Sequence, residues 1–166
     1  MTSGRAESQK IQKVGGRLHR ISEVIDDDGT VISRVAAPLR VEFKLEDVAQ
    51  LLTGALMLAV PVALTEEVWV LGEELPIFRI YLIASLSLAV NAFFVKMLFY
   101  PGELWEFRIE FFKRVFAGYA IAFLASLIML SLIGKGLFVD PSLAMRQAVI
   151  IALPASFAAT AMDYIR

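Results

Sequence analysis

Two adjacent carboxylates, Glu66 and Glu67, have the clearest potential for chemistry, because they directly follow an uncharged run from Val48 to Thr65. Glu66 lies 22 residues beyond Lys44, which corresponds to about 33 Å of helix at about 1.5 Å per residue. If several copies of this helix surround one axis, the carboxylates form an acidic ring of the kind that selects cations. We therefore predict a cation-selectivity site, and hypothesise a metal site, at Glu66 and Glu67. The alternative is that both acids only mark the end of an apolar helix.

Three further polar residues lie in apolar segments and are secondary acidic or gating candidates: Asp163, Asn91 and Thr160. Asp163 comes near the end of the last apolar segment, where it could pair with Arg114, with Arg166 or with the N-terminal segment. Asn91 is the most polar residue deep in the second apolar segment. In a membrane such an amide more often bonds to a neighbouring helix than to a substrate.

Proline interrupts two of the apolar segments, at Pro61 and Pro154. Each proline lacks a backbone N–H and therefore frees a carbonyl inside a helix. We expect a helix kink at each of these positions.

The composition excludes several classes of function. The chain has no cysteine and a single histidine, His19, so thiolate sites and histidine clusters within one chain are excluded. It shows no Ser-His-Asp set and no glycine-rich phosphate loop, so we predict no enzyme and no cofactor, apart from a divalent cation bound at the acids. The net charge of −1 does not favour nucleic acid as a partner.

The hydrophobic content predicts an all-α membrane protein. Hydrophobic residues make up 58% of the 166 residues and charged residues only 20%, whereas soluble domains are about 45–50% apolar. A helix needs about 20 apolar residues to cross the hydrocarbon core. We predict a transmembrane domain over 45–166 with four spanning helices, at about 45–71, 76–100, 105–134 and 142–164.

The polar N-terminal segment is predicted to hold a small β element. We expect disorder over 1–16 and a cytoplasmic β-rich arm over 17–44. Within the arm, the runs 18–25 and 30–35 flank Asp26, Asp27, Asp28 and Gly29, a composition that favours a tight reversal between two strands. Apolar and charged residues then alternate over 39–43, the period of an edge strand.

The distribution of basic residues predicts the orientation. Thirteen Lys and Arg residues lie in the arm, between the second and third spans or at the C-terminus, and only Arg79, Lys135 and Arg146 lie on the other side. By the positive-inside rule both termini are cytoplasmic. We expect a multi-pass protein of the cell (inner) membrane that contacts lipids, with a possible cytoplasmic partner binding the arm.

Two segments carry a resemblance to a known family. The run from Pro61 to Gly72, which contains Thr-Glu-Glu-Val-Trp at residues 65–69, resembles an uncharacterised family of prokaryotic integral membrane proteins. The small-residue ending from Ala152 to Asp163 is similar to the last helix of that family. The resemblance covers roughly residues 40 to 166 and implies a membrane protein, but no activity. A looser, architectural similarity links four spans and an acid at the outer end of the first helix to Orai-type calcium channels.

These observations lead to one functional hypothesis and two alternatives. The chain is predicted to form a homo-oligomeric cation channel, for calcium or another divalent ion, because four helices with so little internal polarity do not readily enclose a pore alone. The first alternative is a non-conducting scaffold that recruits a cytoplasmic partner through the arm. The second is a proton-coupled carrier that uses Asn91 and Asp163, although no internal repeat supports it.

Overall fold

The computed structural model of the protein describes residues 6–14, 17–25, 31–38, 43, 45–100 and 107–165. The chain divides into two compact units, Met1–Glu42 and Phe43–Arg166.

The first unit contains an antiparallel three-stranded sheet in the order β1-β2-β3, formed by Ala6–Val14, Arg17–Ile25 and Val31–Pro38. The pairing of β2 with β3 is irregular between Val24 and Ile25. The strands predicted at 18–25 and 30–35 overlap β2 and β3. Strand β1 lies in the segment expected to be disordered, and it pairs with β2 along its whole length. The sequence of β1 does not alternate between apolar and polar residues, so it gave no sign of a strand. The edge strand predicted at 39–43 lies outside the described residues except for Phe43.

The second unit consists of five helices in its described part. They are α1 (Leu45–Ala63), α2 (Glu66–Glu74), α3 (Ile77–Phe99), α4 (Arg108–Leu132) and α5 (Pro141–Ile165). All except α2 are long and apolar enough to cross a membrane. The prediction of four spanning segments is therefore confirmed at the level of helix length and composition.

The first predicted helix, 45–71, is divided in the structure at Leu64 and Thr65. The backbone N–H groups of these two residues bond to the carbonyls of Pro61 and Val62, three positions back, instead of continuing the α-helical pattern. The hydroxyl of Thr65 donates to the same Val62 carbonyl at 2.8 Å. Glu66 and Glu67 consequently begin a separate short helix, rather than extending α1.

Helix α5 packs against the four other helices of the second unit. Its contact surface is built from small residues, among them Ala148, Ala152, Ala155 and Ala159, all fully buried. On α1, Gly54 lies directly against the backbone of Ala158, where an added Cβ would clash. Small residues permit this close approach of membrane helices, whose association depends on van der Waals contact.

The small-residue face of α1 is therefore used inside the chain. Ala55 and Ala59 of α1 are fully buried in the core of the second unit, whereas Leu52, one turn before Ala55, is 41% exposed. The helices that α1 contacts are α4 and α5. Contacts with a second copy would have to use another face of α1.

The outward surface of the helices is strongly apolar. On α3, Phe78, Leu82 and Phe93 are each more than half exposed, and on α4 so are Phe116 and Leu124. Soluble monomers rarely expose large contiguous apolar patches. A hydrocarbon environment accounts for this surface, in agreement with the membrane prediction.

Pro61 lies in the last turn of α1 and Pro154 lies in the middle of α5. Near Pro154, the hydroxyl of Ser156 donates to the Leu153 carbonyl at 3.0 Å. The kinks expected at both prolines stay predictions.

Candidate functional site

A buried arginine connects three helices at the end of the bundle where α1 begins. Arg114 of α4 is 3% exposed. Its Nη1 donates a 3.0 Å hydrogen bond to Oδ2 of Asp163 on α5, and its Nη2 lies 3.4 Å from Oδ2 of Asp47 on α1. A buried charge is tolerated only when opposite charges and hydrogen bonds compensate the loss of water. Both carboxylates supply that compensation.

Aromatic residues complete the surroundings of this arginine. The guanidinium carbon of Arg114 lies 3.8 Å from the ring centroid of Phe99, the last residue of α3, and 5.8 Å from that of Phe43. Such cation-π contacts are strongest where water is excluded. Arg114 thus contacts all three other spanning helices. We name Arg114, Asp47, Asp163 and Phe99 the Arg114 cluster.

Tyr100, which follows α3, is also buried beside this cluster. Burial raises the pKa of its hydroxyl to about 12, and the nearby positive charge of Arg114 opposes this rise. Its ring meets that of Phe111 edge to face, with 5.8 Å between the centroids. The phenol is therefore neutral throughout the physiological pH range.

A line of polar side chains extends from the Arg114 cluster between α3 and α5. Asn91 of α3 is fully buried; its amide nitrogen donates to the Val115 carbonyl of α4 at 3.0 Å, and its oxygen accepts a 2.6 Å bond from the Thr160 hydroxyl. One turn further along, the hydroxyls of Ser87 and Ser156 are 3.4 Å apart. We name Ser87, Asn91, Ser156 and Thr160 the polar column.

Asn91 therefore bonds to two neighbouring helices, as an amide at this depth is expected to do. Gly118 of α4 makes room for it, since a Cβ at that position would lie 3.3 Å from the Asn91 amide nitrogen. The secondary candidates Asp163, Asn91 and Thr160 lie close together in the bundle interior. Ser156 and Thr160 precede Asp163 at helical spacing on α5.

Glu66 and Glu67 lie elsewhere, in the first turn of α2, and both are exposed. Carboxylates in a first turn interact favourably with the positive end of the helix dipole. Within the described part of the chain neither acid forms an ion pair. Ala63 lies sixteen positions after Asp47, which corresponds to about 24 Å along α1, so these acids and the Arg114 cluster are separate sites.

A metal ion bound by one chain alone does not fit the two exposed acids. Among the described residues there is no group of three or more His, Cys, Asp or Glu side chains that could hold a metal. Calcium takes about six to eight oxygen ligands. Two carboxylates supply at most four of these oxygens, and the same residues of further subunits could supply others.

The sequence did not reveal two members of the Arg114 cluster, Asp47 and Phe99. Asp47 reads as a charge that opens the first helix, and Phe99 as one of many apolar residues. The signal that could have indicated this cluster is that Arg114, Asp47 and Asp163 all lie near helix ends on the predicted cytoplasmic side. Arg114, one of the three partners suggested for Asp163, pairs with it in the structure, while Arg166 lies outside the described residues.

Comparison with known proteins is consistent with this architecture. No curated protein and no solved structure matches the chain at a significant level. Residues 22–164 match the family model described as "Putative integral membrane protein (DUF2391)". The match covers the second half of β2, all of β3 and nearly all of the helical unit, including Glu66, Glu67, Arg114 and Asp163. The chain therefore belongs to the DUF2391 family of integral membrane proteins.

Proposed function

We propose that the protein conducts cations as a homo-oligomer, with Glu66 and Glu67 of each subunit forming an acidic ring at the outer end of the pore. The supporting observation is the placement of these carboxylates. Helix α2 contains four glutamates and no basic residue, and Glu66 and Glu67 are exposed without an ion pair in the described part of the chain. Rings of carboxylates favour cations in pores.

The pore of this proposal lies between subunits. The interior of one bundle is filled by the alanines of α5 and the packed side chains of α1 and α4. By contrast, α1 exposes Met57 and Leu58, and α3 exposes Leu86 and Phe93. These faces are available to a neighbouring subunit or to lipid.

The distribution of charge supports the orientation. With both termini in the cytoplasm of a prokaryotic cell, as the basic residues indicate, α2 lies at the outer face of the inner membrane. An acidic ring there attracts cations from outside before they enter the pore. Calcium or another divalent ion is the proposed substrate, by analogy with the architecture of Orai-type channels.

Ion flux into vesicles that contain the purified protein tests this function. We expect the double substitution Glu66→Gln with Glu67→Gln to reduce divalent flux and to weaken the preference for cations over anions. The matched control is Glu73→Gln with Glu74→Gln, which removes the same charge from the exposed last turn of the same helix. Equal fluxes in the wild type and both double variants would refute the acidic ring.

The polar column favours a second candidate, a proton-coupled carrier. Asn91, Thr160 and Asp163 lie in sequence along the interior of a single bundle, where ionisable and polar residues often mark substrate or proton paths. Uptake driven by a pH gradient, lost in Thr160→Val but retained in Glu66→Gln with Glu67→Gln, would favour the carrier over the channel.

The separate compactness of the first unit favours a third candidate, a non-conducting scaffold. Met1–Glu42 forms its own unit with a three-stranded sheet, which suits binding of a cytoplasmic partner. Two results together would support this candidate. A partner protein co-purifies with the full chain but not with a chain that lacks residues 1–42, and vesicles that contain the wild type pass no ions. None of the three candidates involves enzymatic catalysis.

A further inference from the structure

The C-terminal end of α2 is held by a basic side chain of α5. Nη1 of Arg146 donates a 3.1 Å hydrogen bond to the carbonyl of Gly72. Gly72 is among the last four residues of α2, whose carbonyls have no donor within the helix and form its negative pole. Arg146 therefore supplies both the missing donor and a favourable charge to this end of α2.

The next residue of α5 fixes the distance between the two helices. Gln147 is fully buried, and its amide nitrogen donates to the Trp69 carbonyl at 3.4 Å. A Cβ added to Gly72 would lie 2.5 Å from Cγ of Gln147, closer than real Cβ contacts. Glycine at position 72 is thus required for α2 to sit this close to α5.

A third contact fixes the indole of Trp69. Its Nε1 donates to the Ala63 carbonyl at the end of α1, at 2.9 Å. Nζ of Lys135 lies 4.2 Å from the ring centroid, a cation-π arrangement. Lys135 is positioned by the turn after α4, in which Gly134 has a φ of 78° and the Lys135 N–H donates to the Leu130 carbonyl at 2.9 Å.

At this end of the bundle, Lys135 contacts the indole of Trp69 and Arg146 contacts the negative pole of α2. They do not neutralise Glu66 and Glu67, which lie at the opposite pole of the same short helix. We propose that Lys135, Arg146 and Gln147, which we name the α2 clamp, are positioning residues that set the location of α2 and hence the cation affinity of Glu66 and Glu67. This inference rests on the proposed cation-conducting function.

The experiment uses the full-length chain in vesicles and combines two readouts. Trp105→Phe leaves Trp69 as the only tryptophan, so its emission reports the position of α2 whether or not ions pass. The test variant is Arg146→Met. Its control is Arg79→Met, which removes the same charge from an exposed side chain at the start of α3, and Arg146→Lys tests rescue by the retained charge.

We expect Arg146→Met to shift Trp69 emission to longer wavelength and to weaken half-saturation of flux by Ca²⁺ at least about fivefold, the lower end of typical couplings between sites. Arg146→Lys should recover part of both changes, and Arg79→Met should leave Trp69 emission unchanged. Gly72→Ala should reproduce the emission shift without any change of charge.

Two results would overturn the inference in different ways. If Trp69 emission is the same in the wild type, Arg146→Met and Gly72→Ala, the clamp does not position α2. If emission shifts while Ca²⁺ half-saturation stays constant, the clamp positions α2 without affecting the acids. A wild type that passes no cations refutes the proposed function instead, and the emission data then still decide whether the clamp positions α2.

Discussion

Arg114 and Asp163 are 49 positions apart in the chain, yet Nη1 of the arginine lies 3.0 Å from Oδ2 of the aspartate, with both side chains almost completely buried. The contact joins α4 to α5, and the neighbouring contact to Asp47 adds α1. The charged contacts of this buried group thus hold α1, α4 and α5 together at one end of the bundle.

Removal of one partner of this ion pair should strongly destabilise the bundle. We expect Asp163→Ala to lower the free energy of unfolding by about 3 kcal/mol, near the low end for a broken buried pair because Asp47 remains beside Arg114. Thermal unfolding in detergent measures the effect, and Glu73→Ala, which removes an exposed acid, is the control. The double variant Arg114→Met with Asp163→Leu should regain most of the loss. If it is as unstable as Asp163→Ala, the cost does not come from the buried charge.

Thr160→Val should lower the free energy of unfolding less than Asp163→Ala does. It removes the 2.6 Å hydrogen bond to Asn91 while keeping the size of the side chain, and hydrogen bonds between membrane helices contribute on average about 0.6 kcal/mol, at most about 1.7. Thr53→Val is the matched control, because the Thr53 residue is exposed and its hydroxyl donates to the Ala49 carbonyl of its own helix. Equal unfolding temperatures for the two variants would contradict a stabilising role of the polar column.

Gly54→Ala should weaken the contact between α1 and α5. The new methyl group would overlap the backbone of Ala158, which cannot move as a side chain can, and overpacking typically costs about 1–3 kcal/mol. Thr53→Ala, at the adjacent exposed position, should cost much less. Denaturation by a graded series of harsh detergents can rank the variants. A Gly54→Ala protein as stable as Thr53→Ala would show that α1 does not pack on α5 at this position.

Tyr100 should make the stability depend on alkaline pH. The pKa of its hydroxyl is about 12 in the folded chain, whereas an unperturbed tyrosine, as in an unfolded chain, has a pKa of 10.0. Because the folded state holds the proton more tightly, this contribution to stability is complete below pH 10 and is lost as the pH rises through 12. The difference in tyrosinate absorbance between the wild type and Tyr100→Phe should titrate near pH 12. A midpoint near 10 would contradict the burial of the hydroxyl.

The sequence predicted the spanning segments well, because long uncharged runs have few interpretations other than membrane helices. It did not predict the separation of α2 from α1. Glu66 and Glu67 interrupt the apolar run, but the apolar residues Val68 to Leu71 follow at once, so the sequence was interpreted as one helix with a charged pair near its end. The separation of α2 also depends on its contacts with α5, which local sequence does not encode.

The candidate site was predictable in part. Asn91 and Asp163 stood out because polar residues are rare in apolar segments. Arg114 was named as one candidate partner of Asp163, but its burial was not predicted, since Lys113 precedes it and both read as charges of one polar turn. In the structure Lys113 pairs with Glu110 on the surface, whereas Arg114 is buried. The two residues differ by about 100° around α4, and only the packing of the other helices determines which one faces inward.

The two acidic partners of Arg114 are synthesised at different times. Asp47 belongs to α1 and Asp163 to α5, so α5 leaves the ribosome after α1 to α4. A nascent chain with α1 to α4 inserted already holds the arginine in the membrane, but it lacks the carboxylate that forms the shortest ion pair with it. Insertion of α5 therefore supplies the second carboxylate beside Arg114, and until then the buried arginine has only Asp47 of these two acids to compensate its charge.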